Sequence, residues 1–148
     1  MPGKKTNIIF FLVLPLFLLL SLGCEDEREP FPYVYVNETF NISTELGSMT
    51  VGEYRIKEQY GYGGLIIYRA GSSSFYAFDR ACTYKPQKKC RLSEDEEFEG
   101  AGLMKCPCCG SSFHLSQEGM VFNGPATVPL KQYNAYYIPP NQLRVTSN

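Results

Sequence analysis

The chain has 148 residues, a formal net charge of −1, ten prolines, thirteen glycines and no tryptophan. These 148 residues read as one domain plus, at most, a targeting segment. No basic block lies outside the first few residues, so nucleic acid is excluded as a partner.

In chain order, Lys4 and Lys5 precede an apolar run from Ile8 to Leu22, interrupted by Pro15 and ending at Gly23-Cys24. As a helix those fifteen residues would span roughly 22 Å, short of the roughly 30 Å hydrocarbon core. A basic start, a short apolar run and a small residue at the break have the layout of an export signal, so residues 1–23 read as a signal peptide. The stretch "LLLSLGC" resembles a bacterial lipoprotein signal, which implies lipidation of Cys24 and attachment to the membrane, on the periplasmic side or at the cell surface. Ser21 departs from the usual leucine of that pattern. "EDERE" and the prolines at 30 and 32 make residues 24–32 an acidic flexible tether. Removing residues 1–23 takes away two lysines and no acid, leaving a mature chain of about −3.

Residues 33–148 form the folded domain. No long stretch has helical periodicity with caps; short apolar or alternating runs are broken by Gly, Pro, Asn and Ser, which predicts an all-β fold. Strands are expected over 33–40, 52–60, 65–70 and 75–80, with turns at 61–64 and 71–74. A cysteine-bearing loop spans 82–90. The acidic insert 91–102 reads as an exposed loop, with Ser93 and Glu96 spaced as a capping box for a short helix. The second cysteine loop, "CPCCG", starts at Cys106. Strands follow over 112–116, 120–125, 130–138 and 142–146. Some ten short strands at this spacing indicate a sandwich or small barrel.

The cysteine loops suggest four chemistries. Cys106-x-x-Cys109, with Cys82 or Cys90 completing the set, has the shape of a zinc knuckle. Four thiolates from Cys82, Cys90, Cys106 and Cys109 (or Cys108) suit a [2Fe–2S] cluster. Export favours disulfides. Cys106 and Cys109 are also spaced as a redox dithiol, although such pairs belong to βαβ contexts.

"FDRACTY", "CPCCGSSF", "GMVFNGPATVPLKQY" and "YYIPPNQLRV" together resemble the Rieske iron–sulfur domain family, over about Tyr54 to Val145. The family's motifs run D-x-x-C-x-H, then C-P-x-H-G-S-x-F, then a G-P-A-x-x-P-L segment and a closing hairpin. The resemblance implies an antiparallel β-sandwich with a smaller cluster-binding subdomain formed by the two cysteine loops. It implies a [2Fe–2S] cofactor and one-electron transfer to a redox or cell-envelope protein partner, with no catalysis on a substrate. Cys82 and Cys106 match the family's thiolate ligands. Tyr84 and Cys109 stand where its two histidines belong, so the usual two-Cys, two-His centre cannot form. The only histidine, His114, falls at a position that is not a ligand and reads as a half-buried strand residue. A disulfide known in some members maps onto Cys90 and Cys108. With Cys24 lipidated, five cysteines remain, so disulfides alone leave a free thiol. Rieske proteins that receive their cluster in the cytoplasm cross the membrane folded, through a twin-arginine signal. Lys4-Lys5 is not one, and a chain exported unfolded would have to acquire its cluster outside. The sequence therefore ranks zinc or a disulfide, in an accessory or binding role, above a cluster used for electron transfer.

Overall fold

The computed structural model describes residues 30–147; the expected signal peptide, Cys24 and most of the tether lie outside them. Ten strands run β1 (Asn37–Asn41), β2 (Tyr54–Lys57), β3 (Leu65–Arg69), β4 (Phe75–Asp79), β5 (Ser93–Glu94), β6 (Leu103–Lys105), β7 (Ser112–His114), β8 (Met120–Asn123), β9 (Gln132–Ile138) and β10 (Gln142–Thr146). All pairings between them are antiparallel. The all-β expectation is met. Among the described residues, no helix is long and apolar enough to cross a membrane.

Two sheets share the chain. A six-stranded sheet has the order β1-β10-β9-β4-β3-β2, and a four-stranded sheet the order β5-β6-β7-β8. The run Leu65-Ile66-Ile67-Tyr68 explains how they fit. Neighbouring side chains on a strand point to opposite faces. Leu65 and Ile67, with Phe75 and Ala77 of β4, enter a core that also holds Phe40, Leu143 and Val145. Ile66 and Tyr68, with Phe78 of β4, enter a second core with Leu92, Met104, Phe113 and Leu115. The register Ile66↔Phe78 and Ile67↔Ala77 keeps these faces aligned. The apolar run does not alternate because both of its faces are buried.

The structure shortens the strand expected over 52–60 to Tyr54–Lys57 and ends the one expected over 112–116 at His114, before a 3₁₀ turn at Leu115–Gln117. It corrects the sequence at two further places. Residues 33–36 alternate but form no strand: β1 begins at Asn37, opposite Thr146 of β10. Tyr33 and Tyr35 are exposed, and the pairing strand ends at Thr146, leaving only the Ser147 amide to bond to the Val36 carbonyl at 2.8 Å. In the insert, Ser93 is no helix cap. It pairs with Lys105 as part of β5, and the cap is Asp95, whose side chain accepts from the Glu97 amide ahead of a single 3₁₀ turn, Glu96–Phe98.

Candidate metal centre

The second core continues into the two cysteine loops, and Cys82, Cys90 and Cys106 are among its buried members. The first loop leaves β4 and is closed at its base. Ala81 bridges Arg91, the Cys82 amide donates to the Cys90 carbonyl at 2.9 Å, and the Leu92 amide donates to Arg80 at 2.9 Å. The second loop joins β6 to β7. There the Cys106 amide donates to the Ser111 carbonyl at 2.8 Å and the Gly110 amide returns to Cys106 at 2.9 Å. Gly110 has φ +76°, a left-handed conformation that suits glycine.

A third segment, residues 124–130, supports both loops from behind. Thr83 donates its hydroxyl to the Val128 carbonyl at 2.9 Å, and the Ala126 amide donates to the Ser111 hydroxyl oxygen at 3.0 Å. Gly124, at φ +100°, lies so close to the second loop that a Cβ there would fall 2.5 Å from the Ser111 Cα.

A buried carboxylate fixes the base of the first loop. Asp79 has no exposed surface and accepts four hydrogen bonds: from the amides of Tyr62, Gly63 and Ala81 at 2.6, 2.9 and 2.8 Å, and from the Tyr133 hydroxyl at 2.8 Å. These donors offset the cost of burying the charge. The phenol of Tyr133 is pushed up, first by burial and then by the Asp79 charge. Asp95 does similar work for the insert, accepting from the Ser112 hydroxyl at 3.1 Å and pairing with Lys105 at 3.5 Å. Sequence reasoning carried Asp79 and Ser111 only as the D and S of the two family motifs, without a role, and did not single out Thr83. The role of Asp79 was also hinted at by its place as an acid ending an apolar strand beside the loop.

The loops bring five cysteines to one end of the molecule. Cys90 and Cys108 form a disulfide, the pairing that the resemblance implied, so Cys90 stands as a bridge rather than a free ligand. Cys82, Cys106 and Cys109 are free thiols whose sulfurs all lie within 4.8 Å of one another, with Cys82 and Cys109 3.6 Å apart. They border a cavity of about 60 Å³, together with Tyr84, Lys85 and Lys88. Tyr84 is exposed, with the Lys85 ammonium 5.3 Å from its ring centre. His114 sits in β7, half-buried, its Nδ1 2.9 Å from the Ser116 hydroxyl, and it belongs to no such cluster among the described residues.

The three thiols are not equivalent. Burial pushes the Cys82 thiol up, and the neighbouring thiols of Cys106 and Cys109 add to this against a hydrogen bond from the Tyr84 backbone. At Cys109 burial also acts upward, but it is outweighed by hydrogen bonds from the hydroxyl and amide of Ser111 and from Cys106 and Cys82, so this thiol is lowered. The Cys109 sulfur and Ser111 hydroxyl are 3.2 Å apart. Because the Ala126 amide already donates to that oxygen, the hydroxyl hydrogen is free to donate to a Cys109 thiolate.

A cluster of cysteine loops on an antiparallel β domain defines a candidate thiolate metal-binding protein. The profile of the Rieske [2Fe–2S] domain matches residues 41–134, well over half of the chain, and the chain belongs to that family. No curated protein matches it. Among solved structures, the plasma-membrane Rieske protein PetC3 from Synechocystis PCC 6803 is 21% identical with a TM-score of 0.51, covering 76% of this chain and 98% of that one. This similarity supports the fold. A chain from the complex of reduced oxygenase and oxidised ferredoxin in carbazole 1,9a-dioxygenase is 26% identical, covering 67% of this chain and 93% of that one, with a TM-score of 0.45.

The residues do not fit the family's own cluster. That cluster places two thiolates on one iron and two imidazoles on the other. Here both imidazole positions are filled by other residues, Tyr84 and Cys109, and the Cys109 sulfur lies 3.6 Å from that of Cys82. A tetrahedral ion with metal–sulfur bonds of about 2.3 Å holds its sulfurs about 3.8 Å apart. The three sulfurs therefore suit a single thiolate-bound ion.

Proposed function

We propose that this is an accessory Rieske-family domain of the cell envelope, lipid-anchored through Cys24, in which Cys82, Cys106 and Cys109 hold one zinc ion. The observation that carries this reading is the three free sulfurs within 4.8 Å of one another, beside a disulfide that removes the other two cysteines from competition. Soft thiolates select zinc over hard cations. Lys85 and Lys88 border the cavity and offset the charge of three thiolates. Tyr84 or a water completes the tetrahedron. The ion would pin the first loop to the second from inside, and the disulfide pins them from outside.

A second reading, favoured by the family match, is electron transfer through a [2Fe–2S] cluster held by an altered ligand set. One preparation separates the two. The mature protein, isolated from the membrane fraction, is expected to be colourless, with about one zinc per chain. Brown protein with iron and acid-labile sulfide would overturn the zinc reading. Cys82→Ser and Cys106→Ser are each expected to lower the zinc content and the melting temperature. Cys24→Ala is expected to move the protein out of the membrane fraction; retention there would refute the anchor.

A further inference from the structure

Cys106 belongs to two sulfur clusters at once. Its Sγ lies within 4.8 Å of those of Cys82 and Cys109, and also within 4.8 Å of both sulfurs of the Cys90–Cys108 bridge. Cys90 and Cys106 are packed in the same buried core, whereas Cys108 lies at the surface. A free thiol beside a disulfide is the geometry of thiol–disulfide exchange, which needs a thiolate and access to one sulfur of the bridge.

Resting on the zinc reading, we propose that metal and disulfide compete for Cys106, so that loss of the ion rearranges the bridge and brings Cys108 out as a surface thiol. With zinc bound, the Cys106 sulfur is committed to the ion. Without it, the Cys106 thiolate attacks the Cys90 sulfur. The Cys90–Cys106 bond forms as the Cys90–Cys108 bond breaks, and Cys108 departs as a thiolate that takes up the proton Cys106 gave up. One disulfide exists before and after, so no oxidant or reductant is consumed.

Two features direct the attack to Cys90. Attack on Cys108 would bridge residues separated only by Pro107, whose ring fixes its backbone, and would expel the more buried Cys90 thiolate. Attack on Cys90 keeps a bridge between the two loops and releases the sulfur that water can solvate. The exchange also withdraws Cys106 from the metal site, so zinc rebinds fully only when the bridge returns. The five cysteines then form a metal-sensing thiol switch.

The test uses the mature full-length chain, first loaded with zinc and then stripped with a chelator under argon. Each form is exposed briefly to iodoacetamide without denaturant, and its linkages are mapped by fragmentation mass spectrometry. In the loaded form Cys108 is expected to stay unlabelled in its bridge to Cys90. In the stripped form Cys108 labelling is expected to rise at least about tenfold, together with a Cys90–Cys106 linkage. Cys106→Ser is expected to abolish both changes and keep the native bridge. Cys82→Ser weakens the metal site but keeps the nucleophile, so it is expected to show the rearranged linkage even with zinc present. An unlabelled Cys108 in the stripped protein and in Cys82→Ser, or equal labelling with and without Cys106, would overturn the switch. Zinc content measured on the same samples tests the metal reading separately. If no zinc binds, the as-purified protein carries the exchange test, and a Cys90–Cys108 bridge alone beside a free Cys106 overturns it.

Discussion

The two cores of this molecule are built from different material. The one around Phe40, Leu143 and Val145 is a mutually buried set of aliphatic and aromatic side chains with no cysteine in it. The one around Phe113 and Met104 is interrupted by three cysteines, and buried polar groups, Asp95, Ser111 and Ser112, lie in the strands and loops beside it. Strands lying over a broad apolar face are held chiefly by burial and by their backbone ladders. The loops leave β4 and β6 without such a face, and their order comes from a disulfide, buried polar groups and the proposed ion. In this fold, packing fixes the platform and directed bonds fix the site.

Five perturbations sharpen that contrast. The largest is Phe113→Ala, which is expected to cost about 3–5 kcal/mol in urea unfolding and to lower zinc uptake. Leu143→Ala, in the other core, is expected to cost a comparable amount yet leave zinc stoichiometry unchanged in the folded fraction. If both variants lose zinc equally, the cores are not separable in function. Next is the paired Cys90→Ala/Cys108→Ala change. The bridge closes a separation of 18 residues, and its loss is expected to cost about 3 kcal/mol, measured by the same unfolding titration.

Asp79→Asn is expected to cost about 2 kcal/mol, because the four donors are shared between two carboxylate oxygens and the amide NH2 that replaces one of them meets donors it cannot accept from. Backbone amide exchange at Gly63 and Ala81 should rise first. The smallest effect is alkaline. Burial and then the Glu94 side chain beside it push the Tyr54 phenol up to about 12, and Tyr133 is raised as well. An unfolded tyrosine loses its proton near pH 10. Both groups hold their proton more tightly when folded, so their contribution is intact below about pH 10 and is lost as pH rises towards the folded values. Tyr54→Phe should flatten the fall in stability between about pH 10 and 12, with thermal melts at each pH as the measurement.

Much of this was legible in the sequence, for reasons that can be named. The hairpin of β3 and β4 was read to within a residue at each end, because an apolar run, a Gly-Ser turn and a returning aromatic run carry their own local signal. Cys82, Cys106 and Cys109 were legible as a set through spacing and family motif. Which partner Cys90 takes was not settled by spacing alone. Ligand and disulfide place it equally well along the chain, and the choice depends on how the loops face each other in space. The cap at Asp95 was missed because Ser93 is drawn into β5 by its pairing with Lys105, a contact twelve residues away. The apolar run 65–68 announced burial on both faces but not that each face serves a different core.

That double service has a consequence for how the protein comes apart. β3 and β4 are a common wall, with one face in each core, so neither sheet can open fully while the other keeps this wall intact. Heat should melt the described domain in one transition, and the slowest-exchanging amides should be those of Ile66, Ile67 and Ala77, at the wall itself. The cysteine loops can then rearrange their sulfurs on a foundation that stays folded throughout.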